Sequence, residues 1–145
     1  MSKITLAGTA GFCYGVRRAV EKAFEVAASG ADAVTLGPII HNPQIVSRLA
    51  ALGVPEISSP EEAKEGQTVI IRSHGVPAAV YGALRGREIV DCTCPNVARI
   101  HRIAREVTEA GKVLLVAGNP HHPEVEGIVG HAKGEVYVFQ SEAEL

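Results

Sequence analysis

Aromatic residues make up only 4% of this 145-residue chain, and tryptophan is absent. A core must therefore be built from Val, Ile, Leu and Ala. The apolar share of 46% is ample for one domain, or for one small domain and part of a second. A basic excess is also missing: 14 Lys and Arg stand against 16 Asp and Glu, a formal charge of −2. No general nucleic-acid surface is expected from such a balance. No apolar run approaches the roughly 20 residues needed to span a membrane. Met1 to Thr5 opens no apolar signal-peptide core, so none is expected. Cysteines are few, odd in number and unevenly spaced, at 13, 92 and 94. That speaks against a secreted disulfide scaffold and for reduced thiols in a cytoplasm.

What the chain does have is fifteen glycines, eight prolines and an alternation of short apolar runs with helical patterns. Ile4 to Ala7 reads as a first strand. Val16, Ala19, Val20, Ala23 and Ala27 then share one helical face, stopped by Gly30. Ala33 to Leu36 is the second strand. Asn42 and Pro43 form a cap and first turn for a helix burying Ile45, Val46 and Leu49. Ser59 to Glu62 reads as a capping box. Thr68 to Ile71 and Glu88 to Val90 are further strands, with a weak helix over about 78–84 between them. A helix from Pro95 to Ala110 buries Val97, Ile100, Ala104 and Val107. Val113 to Ala117 is a fifth strand, a short helix covers Val125 to Val129, and Glu135 to Phe139 is a sixth strand. No close internal repeat is visible. Nearly continuous apolar strands separated by helices specify an α/β fold with parallel sheets and flanking helices.

In such sheets ligands bind beyond the carboxyl ends of the strands, and right-handed crossovers bring those ends to one edge. Here the successive strand ends are followed by Cys13, His41, His74, Cys94, and His122 with Glu124. Five ends thus each offer a metal-ligating or titratable side chain. Cys94 precedes Pro95 as the cap of a helix, whose N-terminus favours a metal-binding thiolate. Cys92 reads as small core packing. His41, His74 and His122 can present N–H donors to an anion beside helix N-termini. Glu124, enclosed beside His122, fits a proton donor; in the open it is only an acid favoured by the helix dipole. Arg72 serves equally as salt-bridge partner or anion ligand. His101 and His131 read as surface residues, and His121 as a solvated neighbour.

The motifs themselves resemble those of a known family. Gly11-Phe12-Cys13-Tyr14-Gly15-Val16-Arg17-Arg18-Ala19 is similar to the first cysteine motif of the 4-hydroxy-3-methylbut-2-enyl diphosphate reductases. Gly37-Pro38-Ile39-Ile40-His41-Asn42-Pro43 and Arg72-Ser73-His74-Gly75-Val76 resemble its two histidine motifs. Asp91-Cys92-Thr93-Cys94-Pro95 resembles the second cysteine motif, and His122-Pro123-Glu124-Val125-Glu126-Gly127 the His-Pro-Glu motif.

The resemblance implies three α/β lobes around a [4Fe–4S] cluster held by three cysteines, in chains about twice this long. Residues 1–95 would form the first lobe, with the cluster ligands Cys13 and Cys94. Residues 96–145 would form part of the second. His41, His74 and His122 would bind the substrate's diphosphate or hydroxyl end, and Glu124 would supply a proton. The reaction implied is reductive removal of the allylic hydroxyl, giving isopentenyl and dimethylallyl diphosphates. Ferredoxin or flavodoxin is the implied electron donor. The third cysteine ligand would lie in a missing C-terminal half, so this N-terminal part is expected to be inactive alone. Two other readings fit the same residues: a Cys₂His₂ zinc module, and a diphosphate-binding α/β domain without metal.

Overall fold

The computed structural model of the chain describes residues 3–144. The first helix, α1 (Tyr14–Ala28), turns Gly15, Ala19 and Ala23 inward and is followed by Gly30 in a left-handed conformation. Four parallel strands then build one sheet: β1 (Ala33–Leu36), β2 (Glu56–Ile57), β3 (Thr68–Ile71) and β4 (Ile89–Asp91), in the spatial order β2-β1-β3-β4. Strands β1 and β3 are buried along their full length, as expected of a sheet covered on both faces. On one side Ile39, Leu49 and Ile70 pack with α1 and with α2 (Pro43–Ala51). On the other, Val34, Val69 and Ile71 pack with Leu84, just after α3 (Ala78–Ala83).

Two sequence expectations fail in this region. Ile4 to Ala7 form no strand, and Ile4 and Leu6 are 93% and 83% exposed. A strand needs a ladder partner, and none of the described strands pairs with this segment; β4 ends the sheet. Arg18 Nη1 donates to Thr93 O (3.1 Å) and Lys22 Nζ to Asp91 O (3.4 Å), both from α1. The two-residue β2 was not expected, being too short to leave a periodic signal.

Helix α4 (Pro95–Glu109) leads to a second, two-stranded parallel sheet of β5 (Leu114–Ala117) and β6 (Val136–Phe139), joined by α5 (Pro123–His131). The second unit repeats the first. In each, a strand runs through a glycine turn into a capped helix with proline at its first position, then into a parallel strand. A short 3-10 turn follows both times, Pro60–Glu62 and Glu142–Glu144. Its last glutamate reaches back: Glu62 accepts from the N–H groups of Ser58 and Ser59, and Glu144 from Gln140 N–H and Ser141 Oγ–H. The repeat is hard to see in the sequence because its matches are scattered through caps and turns: Gly37 and Gly118, Pro43 and Pro123, and Ser59-x-x-Glu62 and Ser141-x-x-Glu144.

The second sheet is covered on one face only. Leu115 and Tyr137 are cross-strand partners on the other face and are 55% and 58% exposed. No helix among the described residues is long and apolar enough to cross a membrane.

Candidate functional site

The sheet hydrogen bonding continues past the formal strand ends and carries the site residues with it. Cys92 N–H donates to Ile71 O (3.0 Å), and Cys94 N–H to Ser73 O (2.9 Å). Cys94 is thus fixed to the residue that precedes His74. The Asp91 carboxylate shapes this turn, accepting from Thr93 N–H (2.8 Å) and from the Tyr81 hydroxyl (2.9 Å). Burial, reinforced by the Asp91 charge, pushes the Tyr81 phenol up to about 12. It stays a donor throughout the physiological range. Cys94 caps α4 and Cys13 caps α1, neither using its side chain to do so. A methyl group on Gly15 would overlap Cys94 Sγ, so the first turn of α1 can lie against Cys94 only because residue 15 is glycine. Cys13 is exposed and Cys94 half-buried, whereas Cys92 is fully buried with Ala19 and Ala23. Burial raises the Cys92 thiol to about 11, so it remains protonated and acts as packing.

Three histidines converge beside this point. His41 and His74 have ring centroids 4.6 Å apart, and His122 lies 6.5 Å from the first and 6.2 Å from the second. Glu124 joins them: its Oε1 is 2.9 Å from His74 Nδ1. Local chemistry explains each placement. Asn42 Oδ1 accepts Ile45 N–H (3.1 Å), so the α2 cap holds His41 just ahead of the helix. In the repeated unit His122 is itself the cap: its Nδ1 accepts Glu124 N–H (3.2 Å). That bond leaves the His122 proton on Nε2, free to donate outward. With Nδ1–H donating to a carboxylate, His74 is left with Nε2, which is buried and unpartnered. A cavity of about 250 Å³ lies against the cluster, lined by Phe12, Val16, Ile40, His41, Asn42, Ser73 and His74. Phe12, the residue before Cys13, forms part of its wall, and neither Cys13 nor Cys94 lines it.

The sequence had placed two other histidines on the surface, and the structure corrects both. His101 is only 5% exposed and His131 is half-buried; their rings stack at 4.3 Å. The face of α4 is turned accordingly. His101, Ala104 and Thr108 point inward, while Ile100 is 46% exposed. Glycines on neighbouring elements make room for the imidazole, and a helical periodicity count cannot register them. Arg72 forms no ion pair among the described residues; its Nε donates to Gly75 O (3.3 Å) and its guanidinium lies over Gly37. Burial lowers its pKa.

The chain matches the family model described as LytB protein over residues 4–145. The chain belongs to that family. It is 45% identical over 145 residues to a 4-hydroxy-3-methylbut-2-enyl diphosphate reductase of Geobacter sp. (strain M21), covering 99% of this chain and 51% of the relative. To the enzyme of that name from Aquifex aeolicus (strain VF5) it is 48% identical over 136 residues, covering 92% of this chain and 47% of the relative. A solved structure of (E)-4-hydroxy-3-methyl-but-2-enyl diphosphate reductase, the terminal enzyme of the non-mevalonate pathway, superposes with TM-score 0.83. It is 45% identical, with 99% of this chain and 53% of the other covered. The reductase from Plasmodium falciparum has TM-score 0.87 at 22% identity, covering 94% and 44%, and shows the shared fold. The chain therefore spans about half the length of the curated relatives it matches.

Cys94, half-buried against the first turn of α1, and Cys13, exposed at its cap, are the thiols these residues offer to a metal group. Among the described residues no three His, Cys, Asp or Glu side chains are grouped around one metal-ion position. A closed Cys₂His₂ zinc site is thus not formed by these residues. Cys13 and Cys94 leave their thiols uncommitted to capping their own helices.

Proposed function

We propose that this chain carries the substrate-binding and proton-donating part of a 4-hydroxy-3-methylbut-2-enyl diphosphate reductase, with residues 1–95 as one lobe and 96–145 as part of a second. Cys13 and Cys94 would hold a [4Fe–4S] cluster together with a third cysteine from the remainder of the enzyme. When bound, that group supplies the electrons and a Lewis-acidic iron for removing an allylic hydroxyl.

The chain's own residues do the rest. His122 Nε2–H and the neighbouring His41 face the anion, and the first turns of α2 and α5 add their dipoles. His74 anchors Glu124 through Nδ1, which aims the carboxyl at the histidine cluster. Glu124 is the proton source for the departing hydroxyl. Ferredoxin or flavodoxin supplies electrons, the setting is the cytoplasm, and the 145-residue chain alone turns over no substrate.

The observation that supports this most is the His74–Glu124 bond inside a three-histidine cluster. Anaerobic co-purification of the chain with a relative's C-terminal half tests the reading by metal analysis and visible spectrum. Iron and sulfide in a brown complex are expected. A colourless complex holding one zinc would overturn the cluster assignment.

A further inference from the structure

Glu124 and His74 are fifty residues apart and stand on different sheets' connections, so something must seat α5 on the turn after β3. Three contacts do so. Gly130 lies so close to Pro77 that any added methyl group would overlap the proline. His131 Nε2–H donates to Val76 O at 3.1 Å. The third contact is His101, from α4. A Cβ added at Gly75 would lie 2.7 Å from His101 Cε1, and one added at Gly127 would lie 2.7 Å from its Nε2. The imidazole thus fills a slot whose two walls are bare glycine backbone. One wall is the residue next to His74. The other is one helical turn beyond Glu124, on the same side of α5.

We infer that His101 is a positioning residue: its imidazole is the spacer that sets α5 against the His74 turn and thereby fixes the Glu124–His74 hydrogen bond. Shape is the operative property. His101 Nε2 is buried and makes no hydrogen bond, so no directional polar partner holds the ring. Burial, and next the His131 ring beside it, hold the His101 pKa down at about 4, so the spacer is uncharged near neutrality. Stacking on His131 aligns the third contact with the second. His101 touches none of the groups assigned to substrate, so it acts only through the pair it spaces.

This inference rests on the reading of Glu124 and His74 as the chemical pair, yet the two fail separately. The test uses the 145-residue chain itself, with ¹⁵N-labelled histidine and long-range ¹H–¹⁵N spectra, which report the His74 tautomer without any substrate. The wild type should show His74 protonated at Nδ1, with the signature lost in Glu124→Ala. His101→Ala should lose that signature while circular dichroism still shows a folded chain. Gly127→Ala, which overfills the same slot, should lose it too. The double variant His101→Ala/Gly127→Ala should regain part of it, because the new methyl group occupies the space the imidazole left. An unchanged His74 signature in folded His101→Ala, or a double variant no better than either single, overturns the proposal. If His101→Ala does not fold, Gly127→Ala decides: folded with His74 unaltered, it overturns the proposal equally. A wild-type signature as described, in a complemented enzyme without reductase activity, would overturn the functional reading and leave this one standing.

Discussion

Glu124 accepts a hydrogen bond from His74 at 2.9 Å, linking the connection after β3 to the first turn of α5. His74 is mostly enclosed, with 16% side-chain exposure, while Glu124 is 46% exposed and so lacks the enclosure that its sequence position beside His122 suggests. A carboxyl fixed at one oxygen and open on the other side is placed to deliver a proton outward. Glu124→Gln keeps the size and a hydrogen-bond acceptor but cannot supply the proton. In a complemented enzyme it should cut turnover by about 10²-fold or more while leaving substrate binding within a few-fold. Equal losses in binding and turnover would remove Glu124 from the proton step.

The diphosphate reading can be tested without any cluster. Calorimetry with inorganic pyrophosphate should show binding to the chain that weakens at least tenfold in His41→Ala and in His122→Ala. Cys13→Ser and Cys94→Ser should bind as the wild type does. Loss of binding in the cysteine variants instead would mean that the thiols shape the anion site.

Cys92 and Cys94 should behave as different chemical species. Cys92 lies in the core with its thiol held near 11 by burial. It should resist thiol reagents in the native chain and react after unfolding. Cys92→Ala should cost roughly 1–2 kcal/mol of stability through lost packing. Cys94→Ala should lose cluster iron in the complex with stability nearly unchanged. Native-state labelling of Cys92 as fast as Cys13 would contradict the assignment.

Acid should loosen the joint between the two sheets. His101 has its pKa lowered to about 4, chiefly by burial, and His131 is lowered for the same first reason. Between about pH 4 and 6.5 the unfolded chain therefore binds more protons than the folded chain. The stability associated with His101 is complete above about pH 6.5 and declines as pH falls toward 4. The loss approaches about 3 kcal/mol at its end. Denaturant midpoints measured from pH 7 to 4.5 should fall in the wild type and much less in His101→Ala. Parallel pH profiles in the two proteins would refute it.

Much of this arrangement is legible in the sequence because its signals are local. Asn42-Pro43 and His122-Pro123 announce helix starts, and the glycines after α1 and α2 announce their ends. Strand ends of the first sheet carry His41, His74 and Cys94 to one edge by topology, whereas His122 follows β5 in the second sheet and joins them only through the seating of α5. The rest depends on residues that act across elements. His101 is buried by Gly75 and Gly127, which belong to two other segments, and no window along α4 contains them. Ile4 and Leu6 stay exposed because no strand among the described residues pairs with their segment, and an apolar run does not reveal whether a ladder partner exists. One missed signal was readable: Gly127 and Gly130, three apart on α5, mark a close approach along that helix.

The account's central claim is that these residues form one half of a reductase site, with Glu124 as its proton source. The most direct measurement is anaerobic conversion of 4-hydroxy-3-methylbut-2-enyl diphosphate by the chain joined to a relative's C-terminal half, with wild type and Glu124→Gln side by side. Isopentenyl and dimethylallyl diphosphates should form with the joined wild type, at rates lower by about 10²-fold or more with Glu124→Gln, and not with the 145-residue chain alone. Normal turnover by the chain alone, or equal rates for wild type and Glu124→Gln, would contradict it.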